Sequence, residues 1–386
     1  MRVLLVSGTF PDQMCGVGDY TANLAAALAR IEDVERVDVL TSRGPGPAAA
    51  IPGVEVHRVM DGWRIDEADR LTAAVDRIDP EIVHVMYPSR FGAQDRGALA
   101  NAVPLLVRGA GLRRKSRSVV TTLHEFSDRS RAFRARAWLN LITSQALIFT
   151  SEFDERAALR WPQVESRVRR VVPIAPNIVP REPPSDGRAV RRRRGLGADS
   201  FLVVHFGLLA EDRGLASLAQ ASRWLAKDGI EVVVIGEPPP RASRGKRSTG
   251  LVELGAAEQE GAIRRLPHLP AAELSALLSA ADAAVFPFAG GATARRGSLL
   301  AALAHGLPVV TTHGPRLPVD WSSDAAPALL VAPGDAAALA AAVLKLRDDG
   351  RLREQLATAG RKVSRGRSWD EIASRTAELY LEVAPG

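Results

Sequence analysis

The stretch that decides the fold runs from Ala283 to Thr312 and reads AAVFPFAGGATARRGSLLAALAHGLPVVTT. Its first part, AAVFPF, has the apolar composition of a buried strand, and LPVVTT at its end has the same character. Between them, SLLAALAHG predicts a helix that begins near Ser298, after a glycine-rich loop. Strand, loop, helix and strand in this order indicate a parallel βαβ unit, which binds ligands at the loop after its first strand.

Short apolar runs of this kind alternate with Ala/Leu-rich helical stretches along the chain. They predict α/β architecture with parallel sheets covered on both faces. The runs are RVLLVSG, VDVLTS, EIVHVMY, SVVTTLHE and ALIFTSE in the first half, and FLVVHFG, EVVVIGE, AAVFPF and LPVVTTHG in the second.

The series of strands restarts near residue 201, after a Pro-, Gly- and Arg-rich segment. We therefore expect two doubly wound, Rossmann-like domains facing a central cleft. The expected boundaries are 1–179 for the first domain, 180–200 for a linker with a short helix, and 201–367 for the second domain. Residues 368–386 should form a last helix, with Leu379 and Leu381 among its packing residues.

Composition fits a cytoplasmic protein of two domains. The chain has 386 residues, of which 46% are hydrophobic and 25% charged, as in soluble globular proteins. Its single cysteine, Cys15, excludes an internal disulfide and suits a reducing compartment. No apolar run approaches the roughly 20 residues of a membrane span.

The net charge of +7 favours anionic partners such as nucleotides, phosphosugars or acidic lipid. A nucleic-acid partner is disfavoured because aromatic residues make up only 5% of the chain and no helix-turn-helix or zinc pattern is present. The basic segment Leu112–Ser118 could give peripheral contact with the inner membrane surface. A solvated basic loop is the simpler interpretation of that segment.

Three strand-to-helix junctions have the composition of phosphate-binding loops. In CGVGDY, Gly16 and Gly18 would let backbone amides approach a phosphate at a helix N-terminus, although a tight turn explains them equally well. In FGLLAEDRG, which includes Gly207, Arg213 is placed to reach a diphosphate. A solvated loop arginine is the alternative there.

The third junction is the loop of the opening stretch. Arg295 and Arg296 directly precede Gly297, Ser298 and Leu299, whose free amides would carry the positive end of the helix dipole. A structural arginine pair is the alternative.

His124, in TTLHEF, follows a strand end and could contact a ligand, whereas His84 and His305 look structural. The chain has no phosphate-binding P-loop, no zinc-type Cys/His cluster and no Gly-x-Ser-x-Gly elbow. It also has no Asp-x-Asp, so no metal site is predicted.

The ordered set of motifs resembles the GT-B-fold, retaining glycosyltransferases of family 4. The likeness extends nearly end to end. It is carried by FPDQMCGVGDY, TTLHE, VVPIAPNIV, FGLLAEDRG, LPHLPAAELSALLSAADAAVFPF, ALAHGLPVVTT, PGDAAALAAAVLKLRDD and SWDEIA.

The resemblance implies a metal-free transfer of a sugar from a nucleotide diphosphate sugar, with UDP or GDP as the preferred nucleotide. The first domain would bind the acceptor and the second the donor, and the last helix would cross back onto the first domain. The acceptor could be a glycan, a lipid-linked molecule or a small molecule.

The resemblance also implies roles for individual residues. The Gly16 amide would contact the donor phosphate and His124 the donor sugar. Arg213 stands in place of a phosphate-binding lysine, and Leu269 would pack on the base. The segment Gly297–Leu299 would bind the diphosphate.

The sequence departs from the family pattern at three positions. The expected Glu-x7-Glu pair falls on Thr293 and Ala301, and Leu208 replaces an arginine. Our hypothesis is that Arg295 or Arg296 supplies the lost charge, with Arg213 and Arg296 stabilising the leaving diphosphate.

Two alternatives remain open. One is a catalytically silent nucleotide- or sugar-binding homologue, which the missing acids favour. The other is a nicotinamide-dependent oxidoreductase, for which CGVGDY lacks the third glycine and no acidic ribose ligand follows the second strand.

Overall fold

The computed structural model describes residues 1–11, 15–44, 50–88, 98–111, 117–128, 130–181, 186–238, 248–318, 321 and 326–385. The chain divides into two compact units. The first consists of Met1–Ala175 together with Arg367–Gly386, and the second of Pro176–Gly366.

The first unit is built on a seven-stranded parallel sheet. Its strands are β1 (Arg2–Val6), β2 (Arg36–Ser42), β3 (Val54–Met60), β4 (Ile82–Tyr87), β5 (Ser118–Leu123), β6 (Ala146–Phe149) and β7 (Val168–Val171). The strand order is β3-β2-β1-β4-β5-β6-β7, and β1 pairs in parallel with both β2 and β4. The order reverses between β1 and β4, where a doubly wound sheet binds its ligand.

Helices cover both faces of this sheet. They are α1 (Gly16–Leu28), α2 (Ala68–Ile78), α3 (Ala98–Gly111), α4 (Arg131–Arg136), α5 (Trp138–Thr143), α6 (Glu152–Ala158) and α7 (Pro162–Glu165). Alternate residues of β1 enter two different cores, Leu4 and Val6 in one and Val3 and Leu5 in the other. Burial on both faces explains the unbroken apolar runs in the sequence.

The second unit contains a six-stranded parallel sheet of order β10-β9-β8-β11-β12-β13. Its strands are β8 (Phe201–Phe206), β9 (Ile230–Ile235), β10 (Arg264–Leu266), β11 (Ala283–Phe286), β12 (Val309–Thr312) and β13 (Ala328–Val331). The order reverses between β8 and β11, where Val203 pairs with Ala283.

The helices of this unit are α8 (Gly187–Arg193), α9 (Leu215–Lys227), α10 (Thr249–Gln259), α11 (Ala271–Ser279), α12 (Gly297–Ala304), α13 (Ala336–Asp348) and α14 (Gly350–Arg365). Val204 and Val203 of β8 face opposite cores. The sheet is therefore buried on both faces, as in the first unit.

The last helix, α15 (Trp369–Val383), packs on α1 and completes the first unit. A 2.6 Å hydrogen bond joins the Tyr380 hydroxyl to Nδ1 of His84 on β4. Leu379 is fully buried, as expected, but Leu381 is 53% exposed, so its predicted packing role is wrong. On this helix Tyr380 faces inward instead, and its hydroxyl is the hydrogen-bond partner of the buried His84.

The predicted fold class of two parallel α/β domains is confirmed, and each of the nine predicted strands is present. Four strands were missed: β3, β7, β10 and β13. None of the described helices is both long and apolar enough to cross a bilayer.

Candidate functional site

The loop from β8 to α9 brings backbone very close to the end of β11. Gly214 caps α9 with φ +66°, and a Cβ added there would lie 1.7 Å from the Pro287 carbonyl oxygen. Only glycine fits this approach. It fixes Arg213, the residue before it, beside the loop that follows β11.

Arg213 and Arg296 meet on one aromatic ring. The Arg213 guanidinium carbon lies 5.5 Å from the centre of the Phe288 ring, and that of Arg296 lies 4.6 Å from it. Both distances fit cation–π contacts. Arg296 also donates to Asp212 over 2.8 Å, so part of its charge is already balanced. The structure thus brings together two arginines that the sequence predicted for one anion site.

The N-terminus of α12 supplies further hydrogen-bond donors next to Gly207. A Cβ on Gly207, whose φ is +123°, would lie 3.7 Å from the Ser298 Cβ. The Ser298 hydroxyl is buried and has no hydrogen-bond partner in the described chain. The amides of Gly297, Ser298 and Leu299 form the first turn of α12 and have no acceptor within the helix. The arrangement can therefore receive several oxygens of an anion.

Two predicted donor-binding residues, Thr293 and Leu269, are buried, as is Ala301, the second position of the missing Glu-x7-Glu pair. Thr293 is 8% exposed, and its hydroxyl accepts from the Arg295 amide over 3.3 Å. Ala301, on α12, is 1% exposed and brings no polar group. Leu269 is 6% exposed within the core of the second unit, so it presents little surface to a base. Their roles stay predictions.

In the first unit, the glycine motif and His124 come together at the carboxyl end of the sheet. Helix α1 begins at Gly16, and a Cβ on Gly18 would lie 3.2 Å from the Phe10 backbone. Tyr20 then contacts the His124 ring edge-on, with 4.7 Å between ring centres. The His124 amide donates to the Tyr87 carbonyl over 2.7 Å, which joins it to β4.

Asp19 is a candidate that sequence reasoning missed. It lies in the first turn of α1, beside Gly18, and burial raises the pKa of its carboxyl to about 6. An acidic residue at a helix start is common because it complements the helix dipole. The sequence therefore gave no signal that this carboxyl is desolvated.

Three other histidines serve the structure of the two units. His84 is fully buried, bonds to Tyr380 and Thr122 with both ring nitrogens, and has its pKa lowered to about 3 by burial. His305 contacts Ser275 and the Ala301 carbonyl. His205, which the sequence did not single out, is also buried, and burial lowers its pKa to about 4.

Residues 200–349 match the family model for glycosyl transferases group 1. This matched stretch lies within the second unit. It contains the junctions of Arg213 and Arg296, and its match confirms the resemblance that the motifs indicated. The narrower assignment to family 4 stays a prediction.

Among curated proteins, this chain is similar to the D-inositol 3-phosphate glycosyltransferase of Thermomonospora curvata. It is 33% identical over 205 residues, which are 49% of this chain and 44% of that protein. The matched region thus spans less than half the length of this relative.

Solved structures extend the similarity beyond the glycosyl transferases group 1 domain to almost the whole chain. Anabaena HepE in complex with UDP and glucose superposes with a TM-score of 0.74 and 16% identity, over 99% of this chain and 100% of that one. Sucrose-phosphate synthase from Thermosynechococcus elongatus gives 0.74 and 19%, over 99% of both chains. The fold is that of GT-B glycosyltransferases.

Proposed function

We propose that this chain is a glycosyltransferase that moves a sugar from a nucleoside diphosphate sugar to an acceptor hydroxyl. The observation that carries the proposal is the grouping of Arg213 and Arg296 on Phe288, in the unit where the α12 amides and the Ser298 hydroxyl are free to bind oxygens. Such a cluster suits a diphosphate, which bears several negative oxygens within a few ångströms. The glycosyl transferases group 1 domain supports the same chemistry.

UDP is our preferred donor nucleotide. HepE, whose fold this chain shares, has been solved with UDP, with UDP and glucose, and with UDP-glucose. GDP is the second choice. The predicted base-packing residue, Leu269, has an apolar side chain that does not distinguish one base from another.

In the proposed reaction, the bond between the anomeric carbon and the β-phosphate oxygen breaks, and the acceptor oxygen bonds to the same carbon. The acceptor proton passes to the leaving phosphate. Arg213, Arg296 and the amides of α12 stabilise the charge that develops on the diphosphate. As the family resemblance implies, the Gly16 amide, next to Gly18, binds the donor phosphate and His124 the donor sugar, and the product keeps the donor configuration.

We further propose that the reaction needs no divalent metal, because the two guanidiniums and the helix amides supply positive charge at the diphosphate. The acceptor is a glycan, a lipid-linked molecule or a small molecule, because the similarities concern the scaffold rather than acceptor loops.

The test is calorimetric titration with UDP, GDP, ADP and dTDP and with the matching nucleosides, each with and without a chelator. We expect micromolar binding of one diphosphate, much weaker binding of its nucleoside, and no effect of the chelator. Release of free sugar from the matching nucleotide sugar then tests turnover. Binding without turnover on any donor of that nucleotide points to the silent homologue, and no binding overturns the proposal.

A further inference from the structure

Three neighbouring helices of the first unit, α3, α4 and α5, carry a set of surface residues, which we call the α3–α5 face. It contains Leu105 and Arg108 on α3, Arg131 and Arg136 on α4, and Trp138 at the start of α5. Helix α5 packs on both α3 and α4, and Arg108 donates to the Thr143 carbonyl at the end of α5 over 3.1 Å. The segment predicted from sequence for membrane contact, Leu112–Ser118, lies mostly outside the described residues.

The α3–α5 face carries positive charge without a counter-charge of its own. Residues 98–111 and 131–143 contain no aspartate or glutamate and four arginines, which are Arg108, Arg131, Arg134 and Arg136. None of these four forms an ion pair with any residue that the structure describes. Elsewhere in the same unit, Arg70 and Arg117 are bound by carboxylates.

Large apolar side chains are exposed on the same three helices. Leu105 is 48% exposed and Trp138 is 37% exposed. Phe133 points the other way, packing on the core of the unit with its ring 5.6 Å from that of Tyr87. The short α4 is thus anchored by its apolar side chain while its flanking arginines, Arg131 and Arg136, remain at the surface.

We propose that the α3–α5 face docks this protein on an anionic lipid surface. The arginines would bind the negative headgroups, while Trp138 and Leu105 enter the boundary between headgroups and acyl chains. An acidic polysaccharide would satisfy the arginines but would leave Leu105 without an apolar partner, so lipid fits both features. This docking is independent of the proposed donor site, because none of its residues is among those proposed to bind the donor.

The test uses the full chain and vesicles of phosphatidylcholine with or without about 30 mol% phosphatidylserine. We expect co-sedimentation with the anionic vesicles only, and its loss at high salt, which screens the attraction. Each arginine near an anionic surface contributes about a factor of five to binding. The double variant R131Q/R136Q should therefore lower the partition coefficient roughly 25-fold.

Trp138→Ala should also weaken vesicle binding, and Trp224→Ala is its matched control. Trp224 is 38% exposed, almost the same as Trp138, but it lies on α9 of the second unit. Thermal unfolding of each variant checks that the fold is kept.

Three results would overturn the docking proposal. They are no binding to anionic vesicles, equal binding to neutral vesicles, and equal losses in the Trp138 and Trp224 variants. Binding to heparin with none to vesicles would assign the face to an acidic saccharide instead. UDP titration of R131Q/R136Q separates the docking proposal from the proposed function. Neither arginine is proposed to bind the donor. The variant should therefore bind UDP with unchanged affinity whether or not it still binds vesicles.

Discussion

Arg296→Ala should weaken the binding of UDP about tenfold and leave the binding of uridine unchanged. A hydrogen bond between a guanidinium and a phosphate contributes about 1.5–3 kcal/mol. Arg296 already donates to Asp212 over 2.8 Å, and its side chain is 19% exposed, so the net gain should lie at the low end. About 1.5 kcal/mol corresponds to tenfold in Kd.

Asp212→Asn should have the opposite effect on UDP affinity. It keeps the size of the side chain but removes the negative charge that competes with the diphosphate for Arg296. We expect UDP to bind a few-fold more tightly to this variant, and uridine to bind as before.

Calorimetric titration of both ligands against each variant measures these effects. Arg188→Ala is the control, because Arg188 on α8 of the second unit also pairs with an aspartate, Asp199, at 3.1 Å. Equal weakening of UDP and uridine by Arg296→Ala would refute the reasoning, since it would mean that the arginine supports the fold of the loop rather than the diphosphate.

Two further predictions concern stability. Gly214→Ala should lower the free energy of unfolding by about 3 kcal/mol or more in thermal or urea unfolding, because its Cβ would lie 1.7 Å from the Pro287 oxygen. Gly229→Ala is the control, because Gly229 has a similar φ of +70° and a Cβ there would meet no atom within 4 Å. Backbone strain alone should then lower the free energy of unfolding by only about 1 kcal/mol. Equal losses of stability in the two variants would contradict the steric argument. The carboxyl of Asp19 has a pKa of about 6 against 3.8 when unperturbed, so ionisation favours the unfolded state and stability falls as pH rises between these values. Asp19→Asn should therefore gain about 1–2 kcal/mol over the parent at pH 7 and nothing at pH 4, after discounting for partial exposure; a gain that does not change with pH would contradict the desolvation.

The strands that the sequence predicted and those that it missed differ in their place in the sheets. The four missed strands are β3, β7, β10 and β13, and they are the outermost strands of the two sheets. An edge strand is buried less completely, so it needs no continuous apolar run. VRRV of β7 and RRL of β10 look like loop sequence for this reason.

The candidate site was predictable where backbone geometry restricts residue type. The glycines at the start of α1, the glycine before α9 and the helix start at Gly297 follow from strand–loop–helix patterns and are present in the structure. The pair Asp212–Arg296 joins residues 84 positions apart, and the ring of Phe288 links Arg296 with Arg213. Such contacts arise from the packing of two loops, which no local pattern encodes.

The position of α15 in the chain sets the order in which a newly made molecule can fold. Since Arg367–Gly386 belongs to the first unit, a ribosome must synthesise all of Pro176–Gly366 before that unit has its last helix. Until then His84 lacks the Tyr380 hydroxyl, and the surface of α1 that α15 covers is exposed to water. The second unit is continuous in sequence and can form its sheet from its own residues as they emerge. Of the two units, the one that begins first in the chain is thus the one whose fold is completed last.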